Sequence, residues 1–284
     1  MRILLTGASG QVGWELARRL PELGELVATD RASLDLADAA AIRRVLRDVK
    51  PGLVINAAAY TAVDRAESEP GLAHAVNATA PAVLAEEAKR LGALLVHYST
   101  DYVFDGEKRS PYTEDDAPHP LNAYGRTKLA GEEAVRASGC RYLLLRASWV
   151  YAERGRNFLL AIARKARAGE PLRVVDDQTG VPTSAAFLAE TTVRILGRAE
   201  HPEGLYHLAP TGSTTWCGFA RAIVERLGVN ATVTPIRTAD YPTPARRPAY
   251  SVLDSSRARA AFGLPAADWR EVFEQTPTGQ PASL

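Results

Sequence analysis

The chain has 284 residues, with 34 basic and 33 acidic side chains, a net charge of +1 and two cysteines. So even a balance offers no global field to draw nucleic acid or an anionic membrane, and an anionic ligand has to be held locally. Cys140 and Cys217 belong to no C-x-x-C and to no cysteine–histidine cluster, which argues against a disulfide scaffold or a structural zinc site, while the length suits one large domain or two sharing an interface.

The chain opens "MRILLTGASG", where the apolar run before Thr6 is too short for a signal peptide, and no later segment approaches the length of a membrane span. A cytoplasmic protein is the expectation. Buried strands are predicted at residues 2 to 6, 25 to 30, 52 to 58, 93 to 100 and 141 to 148, and helices at 11 to 20, 38 to 49, 71 to 91 and 122 to 138. Strand and helix alternating at this spacing predict parallel β-α-β units in a doubly wound α/β sheet over residues 1 to 149. After residue 150 Pro and Gly cluster, as in "DDQTGVPTS" (176 to 184) and "YPTPARRP" (241 to 248). A smaller C-terminal lobe is predicted there, from 150 to 183 and from about 205 onward, with a helix near 185 to 197 returning to the first lobe. The closing "TPTGQPASL" reads as a frayed tail.

"TGASGQVG" follows the first strand and opens the first helix, placing Gly7, Gly10 and Gly13 in a G-x-x-G-x-x-G spacing. Glycines there permit a tight turn, close approach of backbone to a phosphate and close packing of helix on strand, and the helix N-terminus offers free N–H groups to a pyrophosphate. A dinucleotide site is predicted, with Gln11 and Val12 between the glycines. Asp30 ends the second strand, where a carboxylate accepts hydrogen bonds from ribose hydroxyls and favours NADH; Arg31, next to it, suits the 2′-phosphate of NADPH instead. Asp35 and Leu36 complete that side of the site. Ala57, Ala58 and Ala59, after the third strand, leave room for the dinucleotide where bulky side chains would block it.

Thr100 closes the fourth strand with a hydroxyl, and "NAYGRTKLAGE" (122 to 132) sets Tyr124 and Lys128 one helical turn apart on one face. Strand ends on the carboxyl side of an open parallel sheet are where ligands bind, so Thr100 and Tyr124 can converge on one carbonyl. A phenol is a poor proton donor at neutral pH, and an ammonium beside it lowers its pKa. The expected chemistry is hydride transfer from a nicotinamide to a carbonyl carbon, with Tyr124 protonating the oxygen, Thr100 hydrogen-bonding the oxyanion and Lys128 holding the phenol's pKa down. The joint pattern resembles the short-chain dehydrogenase/reductase superfamily, with its Rossmann-type sheet.

A second layer of motifs resembles one family within it, the dTDP-4-dehydrorhamnose reductases. The matching segments include "GQVGWEL" (10 to 16), "NAAAYTAVDRAESEP" (56 to 70), "VHYSTDYVFDG" (96 to 106), "PLNAYGRTKLAGE" (120 to 132), "LRASWVY" (145 to 151) and "DDQTGVPT" (176 to 183). The resemblance implies reduction of the 4-keto group of dTDP-4-dehydro-β-L-rhamnose to dTDP-β-L-rhamnose with NADPH or NADH, the last step in making that precursor of cell-surface polysaccharide. It implies Thr100, Tyr124 and Lys128 as the catalytic set, and a substrate pocket lined by Thr61, Val63, Thr100, Asp101 and Trp149. Asp101 can accept hydrogen bonds from sugar hydroxyls; Trp149 offers an apolar face to a sugar or a base, or else fills core. Arg246 and Arg247 suit a diphosphate or a solvated surface equally. Some members of the family hold magnesium between two subunits, and Glu15 matches one such position, but Ala186 stands where a second acid is expected. A full metal site is therefore not expected, and either a monomer or a homodimer is compatible with the sequence. Alternatives with the same fold are a reductase of another nucleotide-linked keto sugar and a non-catalytic regulatory subunit that merely binds a dinucleotide.

Overall fold

In the computed structural model, which describes residues 1–198 and 202–276, strand and helix alternate through the first half of the chain. The elements are β1 (Arg2–Thr6), α1 (Gln11–Arg19), β2 (Glu25–Thr29), α2 (Ala39–Val49), β3 (Leu53–Asn56), α3 (Val63–Ser68), α4 (Pro70–His74), α5 (Ala80–Leu91), β4 (Leu94–Thr100), α6 (Ala123–Ser138) and β5 (Arg141–Ala147). The helix expected over 71 to 91 is interrupted by a π-helical segment at Ala75–Thr79, which joins α4 to α5. Its Asn77 explains the interruption: the side chain bonds both backbone groups of Tyr60, so the helix is distorted where it grips a loop.

The second half contains β6 (Val150–Tyr151), α7 (Phe158–Arg167), β7 (Leu172–Val175), β8 (Thr179–Gly180), β9 (Thr183–Ser184), α8 (Ala185–Leu196), β10 (Gly204–His207), β11 (Thr214–Thr215), α9 (Trp216–Leu227), β12 (Val233–Ile236), α10 (Ser256–Phe262) and α11 (Trp269–Gln275). Except for Thr276, the tail read from the sequence lies outside the described residues.

The central sheet has six parallel strands in the order β10-β5-β4-β3-β1-β2. Along β1 the side chains alternate between its two faces. Ile3 and Leu5 pack with Leu16, Leu20, Leu188 and Phe262 on one side, while Leu4 packs with Ile42, Leu46, Leu84 and Val135 on the other. Each fully buried Leu or Ile here contributes about 1.5–3 kcal/mol relative to exposure. Both faces being covered explains why the strands read as nearly unbroken apolar runs.

One expectation is corrected. The stretch beginning near residue 205 was assigned to the second lobe, yet β10 pairs in parallel with β5 and extends the central sheet, with Tyr206 opposite Leu145. Without it β5 would present an open edge, and a four-residue strand suffices to close it. Helix α8 places Leu188 and Ala189 against Leu16 of α1 and Leu20 just after it. A separate apolar cluster lies beyond the sheet, built around Phe104, Tyr151, Leu159, Phe219, Trp269 and Phe273.

Candidate active site

From β1 the chain passes to β2 on one side and returns to β3 on the other, so the sheet's order reverses between β1 and β3. A crevice opens at the carboxyl ends of strands that part in this way. Here it is a cavity of about 370 Å³. One end is lined by Gly7, Gly10, Gln11, Val12, Asp30, Arg31, Asp35, Leu36, Ala57, Ala58, Ala59 and Thr61, the other by Tyr124 and Lys128.

Gly7 has φ +73°, and a Cβ on it would lie 2.8 Å from the backbone nitrogen of Ala58, so only glycine lets the two loops meet. The Gly10 amide donates to the Gly7 carbonyl at 2.9 Å, and Gly10 is the N-cap of α1. Gly13 does not line the cavity. A Cβ there would fall 2.0 Å from the Gly7 oxygen, so Gly13 seats the helix on its loop. A cradle that any side chain would fill, at the start of a nine-residue helix, fits the pyrophosphate of a dinucleotide.

Asp30 Oδ1 accepts hydrogen bonds from the amides of Ala32 and Ser33 and from the Ser33 hydroxyl, at 2.9–3.1 Å. Those bonds to Ser33 hold the carboxyl below its usual range, so it is ionised at neutral pH. Its Oδ1 is thereby committed to shaping the loop, with Oδ2 left to meet ribose hydroxyls. Arg31 is exposed at the cavity's rim. An acid and an exposed guanidinium side by side suit either nicotinamide cofactor.

At the other end, Thr100 finishes β4 and its Oγ1 accepts from the Tyr102 amide and donates to Asp101 Oδ1, each at 3.1 Å. Asp101 is buried; desolvation pushes its carboxyl up to about 7, with hydrogen bonds from Ser251 and Thr100 opposing, and its Oδ2 has no partner among the described residues. Burial pushes the Tyr124 phenol up to about 12, opposed by the Thr100 hydroxyl and reinforced by Asp101. Lys128 is 2 % exposed, and burial pushes its ammonium down to about 8, with Glu132 opposing. In the ligand-free chain it is thus desolvation that sets the direction of both shifts. The Lys128 amine donates to the Tyr98 carbonyl at 2.6 Å.

Of the predicted substrate set, Thr61 lines the cavity, and Val63, Thr100, Asp101 and Trp149 lie outside its lining. Val63 begins α3. Trp149 has φ +44° and stacks on Trp216 with ring centroids 3.5 Å apart and planes 5° from parallel. Gly180 lies beneath it, where a Cβ would come within 2.4 Å of the indole. Arg247 forms a two-pronged ion pair with Asp64 of α3 at 2.9 and 3.0 Å, while Arg246 is exposed and its carbonyl accepts from the Asn122 side-chain Nδ2 at 2.7 Å. Glu15 is buried and ion-paired to Arg19, and among the described residues no three acids, histidines or cysteines gather around a metal position. Glu15 is thus answered by a guanidinium where a metal would need it free.

Several residues that build this end are not among those singled out from the sequence. Asn122 caps α6 through the Gly125 amide at 2.8 Å, and Glu67 accepts from the Ala123 amide at 2.7 Å. Gly125 lets the helix approach β4's exit so closely that a Cβ would lie 2.2 Å from the Tyr102 oxygen, and that approach brings Tyr124 beside Thr100. Ser99, whose hydroxyl is buried without a partner among the described residues, also lines the cavity with Tyr60, Tyr98 and Leu188. For Gly125 and Asn122 the only sequence signals are a cap residue followed by a small residue at the helix start.

The family described as RmlD substrate binding domain matches residues 1–278. A dTDP-4-dehydrorhamnose reductase of Burkholderia thailandensis is 48% identical, over 95% of this chain and 96% of that protein. One from Escherichia coli is 43% identical, over 95% of each. Among solved structures, a dTDP-4-dehydrorhamnose reductase of Bacillus anthracis in complex with NADP superimposes with a TM-score of 0.92 at 35% identity, covering 97% of this chain and 98% of that one.

Proposed function

The chain belongs to the dTDP-4-dehydrorhamnose reductase family, and from that premise we propose that it reduces the 4-keto group of dTDP-4-dehydro-β-L-rhamnose to dTDP-β-L-rhamnose, using NADPH or NADH. The observation that carries the reading is the single cavity wall shared by the glycine cradle and by Tyr124 and Lys128, with Thr100 one residue beyond the lining Ser99. When bound, the nicotinamide supplies hydride to the keto carbon.

The chain's own residues supply the rest. The Thr100 hydroxyl hydrogen-bonds the keto oxygen and Tyr124 gives it the phenolic proton as charge develops. Burial keeps the phenol fully protonated at neutral pH, so the donor is always loaded; the developing alkoxide, a far stronger base, draws the proton off. Lys128, when an ammonium, stabilises the phenolate that remains. Asp101, with one buried oxygen unpartnered among the described residues, is assigned to a sugar hydroxyl. The Rossmann-type part, residues 1 to 149, is assigned to the cofactor, and residues 150 to 284 mainly to the nucleotide sugar; the Asp64–Arg247 pair supports this by tying the loop after residue 241 to the cleft's rim.

Nicotinamide oxidation with the 4-keto sugar, run with both cofactors, and NMR of the product test the reading. The expected outcome is dTDP-L-rhamnose and substantial use of NADH. A different epimer would move the assignment to another keto sugar, and cofactor binding without turnover of any would point to a regulatory subunit.

A further inference from the structure

We propose that His97 is a positioning residue that sets the protonation equilibrium of Lys128, acting through a buried row of side chains, Thr6, Asn56, His97 and Lys128, laid across three strands and α6. The inference deepens the reading above, since it rests on Lys128 serving the reaction. Thr6, Asn56 and His97 occupy one register position on β1, β3 and β4, on the same face of the sheet as Leu4, Val54 and Leu95. All four members of the row are at most 2 % exposed.

Counting donors and acceptors fixes the direction of the row. Asn56 Oδ1 accepts from the Thr6 hydroxyl at 2.7 Å and from the Ala58 amide at 3.3 Å. A backbone amide can only donate, so the Asn56 side chain cannot be turned round. Its Nδ2 therefore donates to His97 Nδ1, at 3.0 Å. His97 is neutral, because burial and the nearby Lys128 push its pKa well below the ordinary imidazole value. The single ring proton must then sit on Nε2, which faces the Lys128 Nζ at 3.4 Å.

A ring N–H aimed at an ammonium sets donor against donor, whereas a neutral amine offers it a lone pair. The row thus favours the amine form of Lys128. The other ionisable groups facing Lys128 do not reverse this. Tyr124 and Glu132 share its helix, Tyr98 offers its carbonyl from β4, and the Glu132 carboxylate is bound two-pronged by Arg146 of β5 at 2.6 and 2.9 Å. With the Glu132 carboxylate so engaged, Lys128 changes charge close to neutral pH instead of remaining a fixed cation.

Two measurements test this. Ring ¹⁵N spectra of the ligand-free wild-type chain should show His97 as the neutral Nε2–H tautomer; an Nδ1–H tautomer or an imidazolium overturns the proposal. Lysine ¹⁵N spectra, with Lys128 assigned by its loss in Lys128→Met, should show its midpoint in His97→Gln at least one pH unit higher, a tenfold change in the equilibrium, because the amide oxygen can turn toward the ammonium. An unchanged midpoint overturns it. Turnover read against pH then separates tuning from mere packing: the alkaline limb of kcat should move upward in His97→Gln, while a packing role lowers kcat and leaves the limb in place. Neither spectrum needs turnover, so failure of the keto-sugar assay bears on the proposed function and leaves the His97 inference standing or falling separately.

Discussion

The two ends of the cleft are built on opposite principles. At the glycine end the wall is backbone and small side chains: Gly7 in a left-handed turn, the three alanines after β3, and an Asp30 that is ionised and in reach of water. At the reacting end the groups are buried or half-buried side chains, and desolvation moves three of them toward the neutral form: Asp101 up to about 7, Tyr124 up to about 12, Lys128 down to about 8. The first end works by leaving space, and the second by withholding solvent. An added methyl should therefore break the one, and a removed hydroxyl or proton the other.

The sharpest test of that contrast is Tyr124→Phe. Turnover should fall about a hundredfold or more, the scale of losing a general acid, while the cofactor Kd stays unchanged; a matching loss of cofactor affinity would show that the two ends are not separable. The converse is Gly7→Ala, which sets a Cβ against the Ala58 backbone at positive φ. Cofactor affinity measured by titration should weaken about thirtyfold, from strain of about 1–3 kcal/mol, with kcat at saturating cofactor nearly intact. Gly125→Ala crosses the two principles, because a space-filling change there displaces a reacting group. Its Cβ would press on the Tyr102 carbonyl, and kcat should drop about tenfold with little change in cofactor Kd.

The smallest expected effect lies outside the cleft, where burial and pairing act in opposition. Glu87, 2 % exposed, is held at about 2 chiefly by its hydrogen bond from Arg47, with Arg90 adding to it. Its folded pKa is depressed below 4.5, so the stabilisation is present above about pH 4.5 and is lost as the pH falls toward 2. Both arginines are half exposed, which screens the pair to about 1 kcal/mol. Denaturant melts of Glu87→Gln should show that much less stability at pH 7 than wild type, and the difference should vanish near pH 2.

How much of this was legible varies with the range of the cause. The five strands of the first half, the cradle glycines and the Tyr124/Lys128 pair all depend on neighbours within about one helical turn or one strand, and were read directly. The assignment of residues near 205 to the wrong lobe has the opposite origin: "GLYH" gives no sign that its partner is β5, some sixty residues earlier. For Gly13 the spacing shows that a small residue is needed but not that the Gly7 carbonyl is the neighbour that demands it. The spacing of Lys128 and Tyr124 is visible in the sequence, while the Tyr98 carbonyl that takes up the Lys128 amine lies on another element and is not.

The sequence by itself determined the β-α-β order, the cradle and the identity of the candidate reacting groups, because periodicity, glycine spacing and helical i, i+4 geometry are properties of the local chain. Only the tertiary structure decided how acidic those groups are and what holds them. Desolvation, the stacking of Trp149 on Trp216, the Asp64–Arg247 pair and the row from Thr6 to Lys128 each join residues from different elements. The charge state of a buried side chain is a property of all that surrounds it, and that surrounding exists only once the sheet has assembled.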